Sequence, residues 1–487
     1  MEPLTWTGSL SSLFTGMQIV LVVIAVLAVA YFVMSFMYES APNTANPDGT
    51  LSAGDDPSAF VGMLLKYSIW LFAALAVLII ALCIFMGLSA GIIGAMIQQM
   101  LPVWISLVVM FVVSTIYKRK LGLYGKLFDS TIGMIGFILV MFWVFTAFFG
   151  SLDMLVTHDP LQQISGMKNK VPGTALRSPE DGQYAYYLLG GDNLARDIYS
   201  RIIYGSGIVI LIAPMATLFA FMVGMTLGLP AGYYGGRLDV IVSFFANLIL
   251  AFPVILLFYL LVTPEIVTAG VPNYMALVLF AFPIIFFTIL LNSRYYTQPT
   301  FRTPLLICVL AVLLWLYLSL VSTNGAVVQT NDYRILGLPT FLDGFDMDPA
   351  ILVVFVSVVF VNSPTVFRIV RGLTLDIKTR DYVAAAQTRG EGPWYIMLWE
   401  ILPNARGPLI VDFCLRIGYT TILLGTLGFF GLGLQSESPD WGTTINAGRR
   451  LLSAYPHAAI APALALLTLV LGLNLLADGL REESLKD

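Results

Sequence analysis

Charge is what this sequence has least of. Of its 487 residues, 11% are Asp, Glu, Lys or Arg and 58% are hydrophobic, whereas soluble globular domains carry roughly 25% charged residues. Many apolar runs approach the ~20 residues that cross a hydrocarbon core, and they are continuous, whereas the strands of a transmembrane β-barrel alternate. The net charge of −4 comes without a basic block, so no nucleic-acid partner is expected. The composition predicts an all-α polytopic membrane protein in a lipid bilayer.

Cysteine and histidine are also scarce. Cys83, Cys308 and Cys414 all lie within apolar runs and are interpreted as small buried hydrophobic residues, because no disulfide framework or metal-ligand spacing is visible. The two histidines, His158 and His457, are far apart in the sequence. A metal site or a histidine-based catalytic site is therefore not expected.

Eleven apolar runs predict membrane spans, with alternatives of ten or twelve. Gly87 to Gly94 ("GLSAGIIG") is either a break or part of a longer tilted helix. The predicted spans are residues 17–37, 67–90, 101–117, 131–150, 205–230, 243–262, 274–291, 303–322, 350–369, 408–430 and 457–477.

Basic residues predict the orientation of these spans, because cytoplasmic loops are enriched in Lys and Arg. Most of them follow odd-numbered spans, while the first sixteen residues contain none. This pattern places the N-terminus outside and the C-terminus inside. The residues that carry it are Lys118, Arg119, Lys120, Lys126, Arg237, Arg294, Arg302, Arg368, Arg371, Lys378, Arg380 and Arg389.

Ionisable residues are missing from the middle of every predicted span, which counts against a proton relay of the kind that pumps require. Asp412 and Arg416 lie four residues apart near the start of the tenth span, and an interfacial i,i+4 pair is the preferred interpretation. In the fifth span, Gly224, Gly228 and Gly232 recur every four residues and predict close helix packing.

The segment from Arg380 to Asn404 interrupts two apolar runs with small, charged and aromatic residues. Thr379 is a candidate cap for a short helix of high intrinsic propensity through three alanines, and Gly390 is a suitable terminator. Pro393 then suits the first turn of a second, aromatic-rich helix, and Pro403 prevents its simple continuation. A thin alanine ridge would fit a groove on another protein; an amphipathic loop at the headgroups is the alternative.

This segment resembles the EAA loop of ABC importer permeases. "YVAAAQTRGEGPWYIMLWEILPN" matches that pattern in register at Ala385, Ala386, Gly390, Leu402 and Pro403, while Ala384 stands where the pattern usually has Glu. Asp381, Ala384 and Asn404 complete the residues that the resemblance assigns to the coupling loop, which spans residues 380–404.

Five further landmarks narrow the resemblance to the C-type permease of dipeptide/oligopeptide importers. "GGDNLARDIYSRIIYG" is similar to that family's segment before its second helix, with Gly191 and Ala195 in place of Thr and Gly. The other four landmarks follow in the family's order: "LGLPAGYYGGRLD", then "LAFP", then "GFFGLGLQSESPDWGTTINAGRRLL", then "NLLADGLRE".

The resemblance implies a six-helix type I permease core made of predicted spans four, five, six, nine, ten and eleven. The expected division is an N-terminal extension with about three spans, a first part of the core, an insertion with about two spans and an outer loop, and a second part of the core. These four regions are residues 1–126, 127–262, 263–349 and 350–487.

The resemblance also implies partners. These are a second homologous permease, two ABC ATPase subunits or domains that bind ATP and magnesium, and an extracytoplasmic substrate-binding protein, all at the inner membrane of a prokaryote. The chain itself has no G-x-x-x-x-G-K-[ST] phosphate loop, so it is expected to be a transporter subunit without a cofactor or a catalytic site of its own. Dipeptides, oligopeptides, glutathione and nickel chelates all stay open as solutes. The outer docking or gating candidates are Asp192, Asn193, Arg196, Asp197, Pro439, Asp440 and Trp441.

Two other classes of protein are open to test. An ion-coupled secondary carrier would transport as the chain alone, and an inverted repeat would support it. The other class is a membrane-embedded enzyme or a purely structural subunit; an enzyme would need a convergent Ser/His/Asp, Cys/His or metal set, which the sequence does not show.

Overall fold

The computed structural model describes residues 2–39, 57–120, 122–179, 183–326, 349–432 and 437–484. Two compact units are formed, one from Met1–Trp104 with Ile164–Asp197 and the other from Ile105–Gln163 with Ile198–Asp487. All six helices predicted to form the permease core fall in the second unit. The four regions predicted above have other bounds than these two units, and that division stays a prediction.

The first unit contains two long apolar helices joined to short elements. Their bounds are Ser11–Glu39 (α1), Pro57–Met86 (α2), Gly91–Gln99 (α3), 3-10 turns at Gly8–Leu10 and Gly87–Ala90, and the antiparallel strands Thr174–Ala175 (β1) and Tyr186–Tyr187 (β2). Leu10, Ile79, Cys83 and Ala90 form its buried helical core.

Gly87 to Gly94, predicted to be either a break or part of a longer helix, contains a break in the α-helix but stays within one candidate span, Phe60–Gln99. A 3-10 turn separates α2 from α3, and both Gly87 and Gly91 have positive φ, of 51° and 79°. A Cβ on Gly91 would lie 2.4 Å from the backbone oxygen of Thr5. Glycine is required there because only it combines this dihedral with such a close approach.

Helix α4, Leu101–Tyr117, contributes residues to both units, and the other helices that the structure describes belong to the second unit. These are Gly122–Lys126 (α5), Thr131–Ser151 (α6), Ile198–Tyr234 (α7), Gly236–Leu250 (α8), Val254–Val262 (α9), Pro264–Thr268 (α10), Val271–Leu279 (α11), Ala281–Arg294 (α12), Pro299–Ala326 (α13), Pro349–Ile377 (α14), Asp381–Thr388 (α15), Pro393–Tyr395 (α16), a π-helix at Ile396–Ile401, Leu402–Asn404 (α17), Arg406–Phe430 (α18), Trp441–Arg449 (α19) and His457–Ser484 (α20), with 3-10 turns at Lys118–Lys120 and Leu127–Asp129.

Within the described residues, ten helices are long and apolar enough to cross a membrane, and an eleventh span results if the bent pair α8 and α9 counts as one. The two helices of that pair meet at an angle of 83°. Pro253 lies between them, just before the first residue of α9, and a proline interrupts a helix because it has no N–H to donate. The eleven spans coincide in order with the predicted ones, so the prediction is confirmed.

Small residues set the closest helix contacts of the second unit. A Cβ on Gly224 of α7 would lie 2.5 Å from the side chain of Val366 on α14, and one on Gly232 would lie 2.7 Å from Thr374. A Cβ on Gly136 of α6 would likewise meet the backbone nitrogen of Leu476 on α20 at 2.3 Å. The packing role predicted for the glycines of α7 is confirmed.

One expectation about cysteine is wrong. Cys83 is buried and Cys414 is half-buried, but Cys308 is exposed on α13. The sequence places it in an apolar run, and an apolar run in a membrane protein can face lipid as readily as protein.

Candidate functional site: the 380–404 segment and the loop ends

The 380–404 segment folds as a short helix, a turn and a second helical stretch, as predicted. The first helix, α15, begins after Arg380, which makes no side-chain cap. The capping role predicted for Thr379 is wrong, because its hydroxyl donates instead to the carbonyl of Asp376 at 2.8 Å. Only the N-cap residue can reach the first free N–H groups of a helix.

Gly390 ends α15 in the left-handed conformation, with φ of 81°. The N–H of Gly390 donates to the carbonyl of Gln387, and that of Glu391 donates to the carbonyl of Ala386, the pair of hydrogen bonds of a Schellman motif. A Cβ on Gly390 would have no atom within 4 Å. Its requirement for glycine is therefore one of backbone conformation and not of space.

The alanines of α15 divide between two faces. Val383 and Ala386 are buried, while Ala384 and Ala385 are exposed, with Asp381 and Thr388 beside them. The exposed face is thus slim, and the alanine that replaces the family's usual Glu lies on it. Gln387 fixes the helix to the core by donating to the hydroxyl of Tyr233 at 3.2 Å.

The second helical stretch is embedded in the protein. Ile396, Met397, Leu398 and Ile401 are all buried and share one hydrophobic cluster with residues of α7, α14 and α15. The alternative of a helix lying loosely among lipid headgroups does not fit this burial. The segment is packed into the second unit.

A π-helix occupies Ile396–Ile401, immediately before Pro403. Pro403 has no N–H to offer to the carbonyl four residues earlier, and its ring would crowd that carbonyl in an α-helix. A widened turn relieves both problems. The predicted interruption is therefore present as a π turn and a break at Ala405, after which α18 begins.

Ion pairs and hydrogen bonds fasten the surface of the segment. Arg389 pairs with Glu400 at 2.8 Å across the turn, and Asn404 donates to the carbonyl of Glu400 at 2.7 Å. Trp399 donates from Nε1 to Ser293 Oγ at 3.1 Å, and the guanidinium of Arg294 lies 4.7 Å from its ring centroid. Because Ser293 and Arg294 end α12, a helix of the predicted insertion contacts the segment directly.

The first group of outer candidates forms a tight turn in the first unit. Asp192 accepts from the backbone N–H groups of Leu194 and Arg196 and pairs with the Arg196 guanidinium at 2.7 Å. Asp197 is buried in an isolated bridge with Gly191. Ala195 adopts φ of 64°, which explains why the family usually has Gly at this position.

The second group lies in the second unit. Asp440 caps α19 by accepting from the N–H of Thr443 at 3.0 Å, and burial holds the pKa of its carboxyl above the ordinary value. Trp441 is 1% exposed, donates from Nε1 to the carbonyl of Ile202 at 2.9 Å and makes an edge contact with Trp143. Pro439 is half-buried.

Arg201 was not predicted as part of this site, although it lies in a quoted landmark. It is fully buried and donates to the carbonyls of Ser438 at 2.7 Å and Glu437 at 3.3 Å and to Thr444 Oγ1 at 3.1 Å. A buried guanidinium with such partners fixes the loop before α19. The sequence offered one signal for this role: Arg201 lies just inside an apolar run, and burying a charge costs free energy unless the charge is paired.

Comparison with known proteins agrees with this architecture. Residues 224–482, more than half of the chain, match the model of the family "Binding-protein-dependent transport system inner membrane component". The glutathione transport system permease protein GsiD of Pectobacterium atrosepticum is 30% identical over 302 residues, 62% of this chain and 73% of its own length. The dipeptide transport system permease protein DppC of Alkalihalophilus pseudofirmus is 24% identical over 359 residues, 74% of this chain and 87% of its own length. The probable D,D-dipeptide transport system permease protein DdpC of Escherichia coli is 27% identical over 329 residues, 67% of this chain and 79% of its own length.

The fold and the match define a multi-pass permease of the type I ABC importer class, located in the inner membrane. The chain belongs to the binding-protein-dependent transport system inner membrane component family. It is a transporter subunit, and among the residues that the structure describes no group of three His, Cys, Asp or Glu side chains could hold a metal ion.

Proposed function

We propose that this chain forms half of the pathway by which an ATP-driven importer moves a peptide or a related small solute across the membrane. The other half would be a second, homologous permease. The relatives named for dipeptide and glutathione transport support this class of solute, because the chain aligns with most of their length.

ATP and magnesium would be bound by two partner ATPase subunits or domains, and a substrate-binding protein outside the membrane would deliver the solute. The observation that carries this proposal is the 380–404 segment. Its exposed face is slim, centred on Ala384 and Ala385, and its other face is buried in the core formed with α7 and α14. A force applied to the exposed face would therefore move those membrane helices as rigid bodies.

Within this proposal, the coupling residues are Asp381, Ala384, Ala385, Ala386, Gly390, Leu402, Pro403 and Asn404. The missing Glu at Ala384 makes the contact one of shape more than of charge. The N-terminus lies outside and the C-terminus inside, which places the segment in the cytoplasm. The turns at Asp192–Asp197 and Pro439–Trp441 lie outside, where Asn193 and Pro439 are the two half-buried residues among the docking candidates, the others being buried.

The experiment is purification of the chain from its native membrane, with identification of what remains bound. We expect a second permease and ABC ATPase subunits in stoichiometric amounts. Recovery of a homo-oligomer without any ATPase would refute the proposal and favour a secondary carrier.

A further inference from the structure

A line of polar side chains crosses the middle of the second unit, where spans five, nine and ten meet. We call it the polar ladder; its members are Asp412, Arg416, Thr365, Asn362, Thr420 and Thr217. Arg416 pairs with Asp412 at 2.6 Å and also bonds to Thr365 on the neighbouring helix α14. Asn362 donates to Thr420 Oγ1 at 3.1 Å, and Thr420 in turn lies 3.4 Å from Thr217 on α7.

The polar ladder is deeper than an interfacial pair. Helix α18 begins at Arg406 and α14 ends at Ile377, and the 380–404 segment joins these two ends on one side of the membrane. At a rise of 1.5 Å per residue, Asp412 lies about 9 Å, Arg416 about 15 Å and Thr420 about 21 Å along α18 from that side. The i,i+4 pairing predicted for Asp412 and Arg416 is present, but the pair continues into a polar network that reaches deeper along α18 than the interfacial position predicted for it.

The side chains of Asp412 and Arg416 are not completely buried by the rest of the second unit. The Asp412 and Arg416 side chains keep 17% and 11% of their exposure, and Tyr419 between the two levels is 63% exposed. Charged groups at membrane depth face a bundle interior or a water-filled cavity and not lipid. The open side of the polar ladder must therefore face the pathway or the second permease.

The chemistry of this open side favours a negative group. In the part of the chain that the structure describes, the bonds of Arg416 engage Nε and Nη1, which leaves Nη2 for another acceptor because a guanidinium has five N–H donors. The N–H groups of Nη2 therefore favour a negatively charged acceptor on this side.

We propose that the polar ladder is a solute-binding step of the pathway, where Arg416 receives the carboxylate of a peptide-like zwitterion and Asp412 attracts its ammonium group. This proposal rests on the proposed function and adds the residues of this chain that would contact the solute. Arginine suits the role because its planar fork matches a carboxylate with two hydrogen bonds.

The test uses the complex reconstituted in proteoliposomes with its binding protein, and alanyl-alanine and glutathione as solutes. Arg416→Gln should lower ATP-dependent uptake at least tenfold while the complex assembles and hydrolyses ATP as before. Arg416→Lys, which keeps the charge but loses the fork, should raise KM with kcat retained. Arg119→Gln, an exposed arginine of the N-terminal extension, is the matched control and should change nothing.

Two results would overturn this inference while leaving the proposed function standing. One is normal KM and kcat in both Arg416 variants. The other is a wild-type complex that hydrolyses ATP but takes up neither solute. If the Arg416→Gln complex fails to assemble, a normal KM in the Arg416→Lys complex is by itself enough to overturn the inference. A wild-type chain that binds no ATPase would instead refute the proposed function.

A second, independent observation concerns helix α12 of the predicted insertion. Phe286, Ile289 and Leu290 pack against the buried cluster of the 380–404 segment, and Ser293 and Arg294 hold Trp399 from its edge and its face. We infer that Ser293 and Arg294 are positioning residues that set the angle of the segment for its ATPase.

Coupling is measured as solute molecules transported per ATP hydrolysed. Arg294→Ala and Ser293→Ala should each lower this ratio about threefold, because Trp399 loses a cation–π partner in the first variant and a hydrogen-bond partner in the second. Arg294→Lys should restore most of the ratio. Arg302→Ala is the control, since Arg302 contacts Asn292 and Tyr296. An unchanged ratio in both alanine variants would contradict the inference.

Discussion

At the residue scale, backbone conformation decides more of the proposed coupling site than side-chain chemistry does. The resemblance alone located Gly390 and Pro403, because glycine and proline have special backbone conformations and are therefore part of the sequence motif itself. Arg201 could not be found in this way, since its partners are backbone carbonyls of a loop more than two hundred residues away. Because every residue has a backbone carbonyl, the amino-acid sequence does not show which carbonyls will accept a hydrogen bond.

Gly390→Val should impair transport without disrupting the membrane fold. A β-branched residue at φ of 81° pays roughly 1–2 kcal/mol of backbone strain, which would loosen the Schellman turn and misplace α15. Gly392→Val is the matched control, because Gly392 has φ of −67° and a Cβ there also has no atom within 4 Å. Uptake should fall in the first variant only; equal uptake in the two would refute the docking role of this turn.

Asp440 should make stability depend on pH. Burial raises the pKa of its carboxyl, against hydrogen bonds from Thr443 and the attraction of Arg201. Between the ordinary pKa of about 3.9 and the raised one, the folded state binds more protons than the unfolded state, so the free energy of unfolding falls as pH rises. Above the raised pKa the carboxyl of Asp440 is charged in both states, and the loss of stability no longer changes with pH.

The check is thermal unfolding of wild type and Asp440→Asn between pH 4 and 7. Wild type should lose stability relative to the variant as pH rises through this window. Asp153→Asn serves as the control, because Asp153 is exposed at a left-handed position that Asn tolerates. A constant difference between wild type and Asp440→Asn would show that this carboxyl does not titrate there.

At the element scale, apolar runs predicted the spans well and their breaks less well. A span needs about 20 apolar residues to cross the hydrocarbon core, so each of the eleven apolar runs corresponds to one candidate span. The π turn at Ile396–Ile401 and the 83° bend before α9 depend on where displaced carbonyls find partners. The prolines that cause them were visible, but the geometry of the compensation was not.

The close contact of α7 with α14 provides a prediction at this scale. Gly224→Ala places a methyl group 2.5 Å from the side chain of Val366, and such overpacking costs about 1–3 kcal/mol. Gly207→Ala on the same helix meets nothing within 4 Å and gains helix propensity. Thermal unfolding should show a lower midpoint for Gly224→Ala alone; equal midpoints would mean that the helices are not held at this spacing.

At the scale of the whole molecule, the class of protein followed from composition and from landmarks in their order, while the site needed the fold. Asp412 and Arg416 are four residues apart in any helix, but the sequence does not say that Arg416 also bonds to Thr365 on a different span. Likewise, no pattern linked Trp399 to Ser293 and Arg294, because they belong to regions that the resemblance treats separately.

The central claim is that this chain transports only as one of two permease subunits of an ATP-driven complex. The most direct measurement is uptake of radiolabelled alanyl-alanine or glutathione into proteoliposomes that hold either the chain alone or its purified complex. We predict uptake by the complex that requires ATP and the binding protein, and none by the chain alone. Uptake by the chain alone, driven by an ion gradient and indifferent to ATP, would contradict the account.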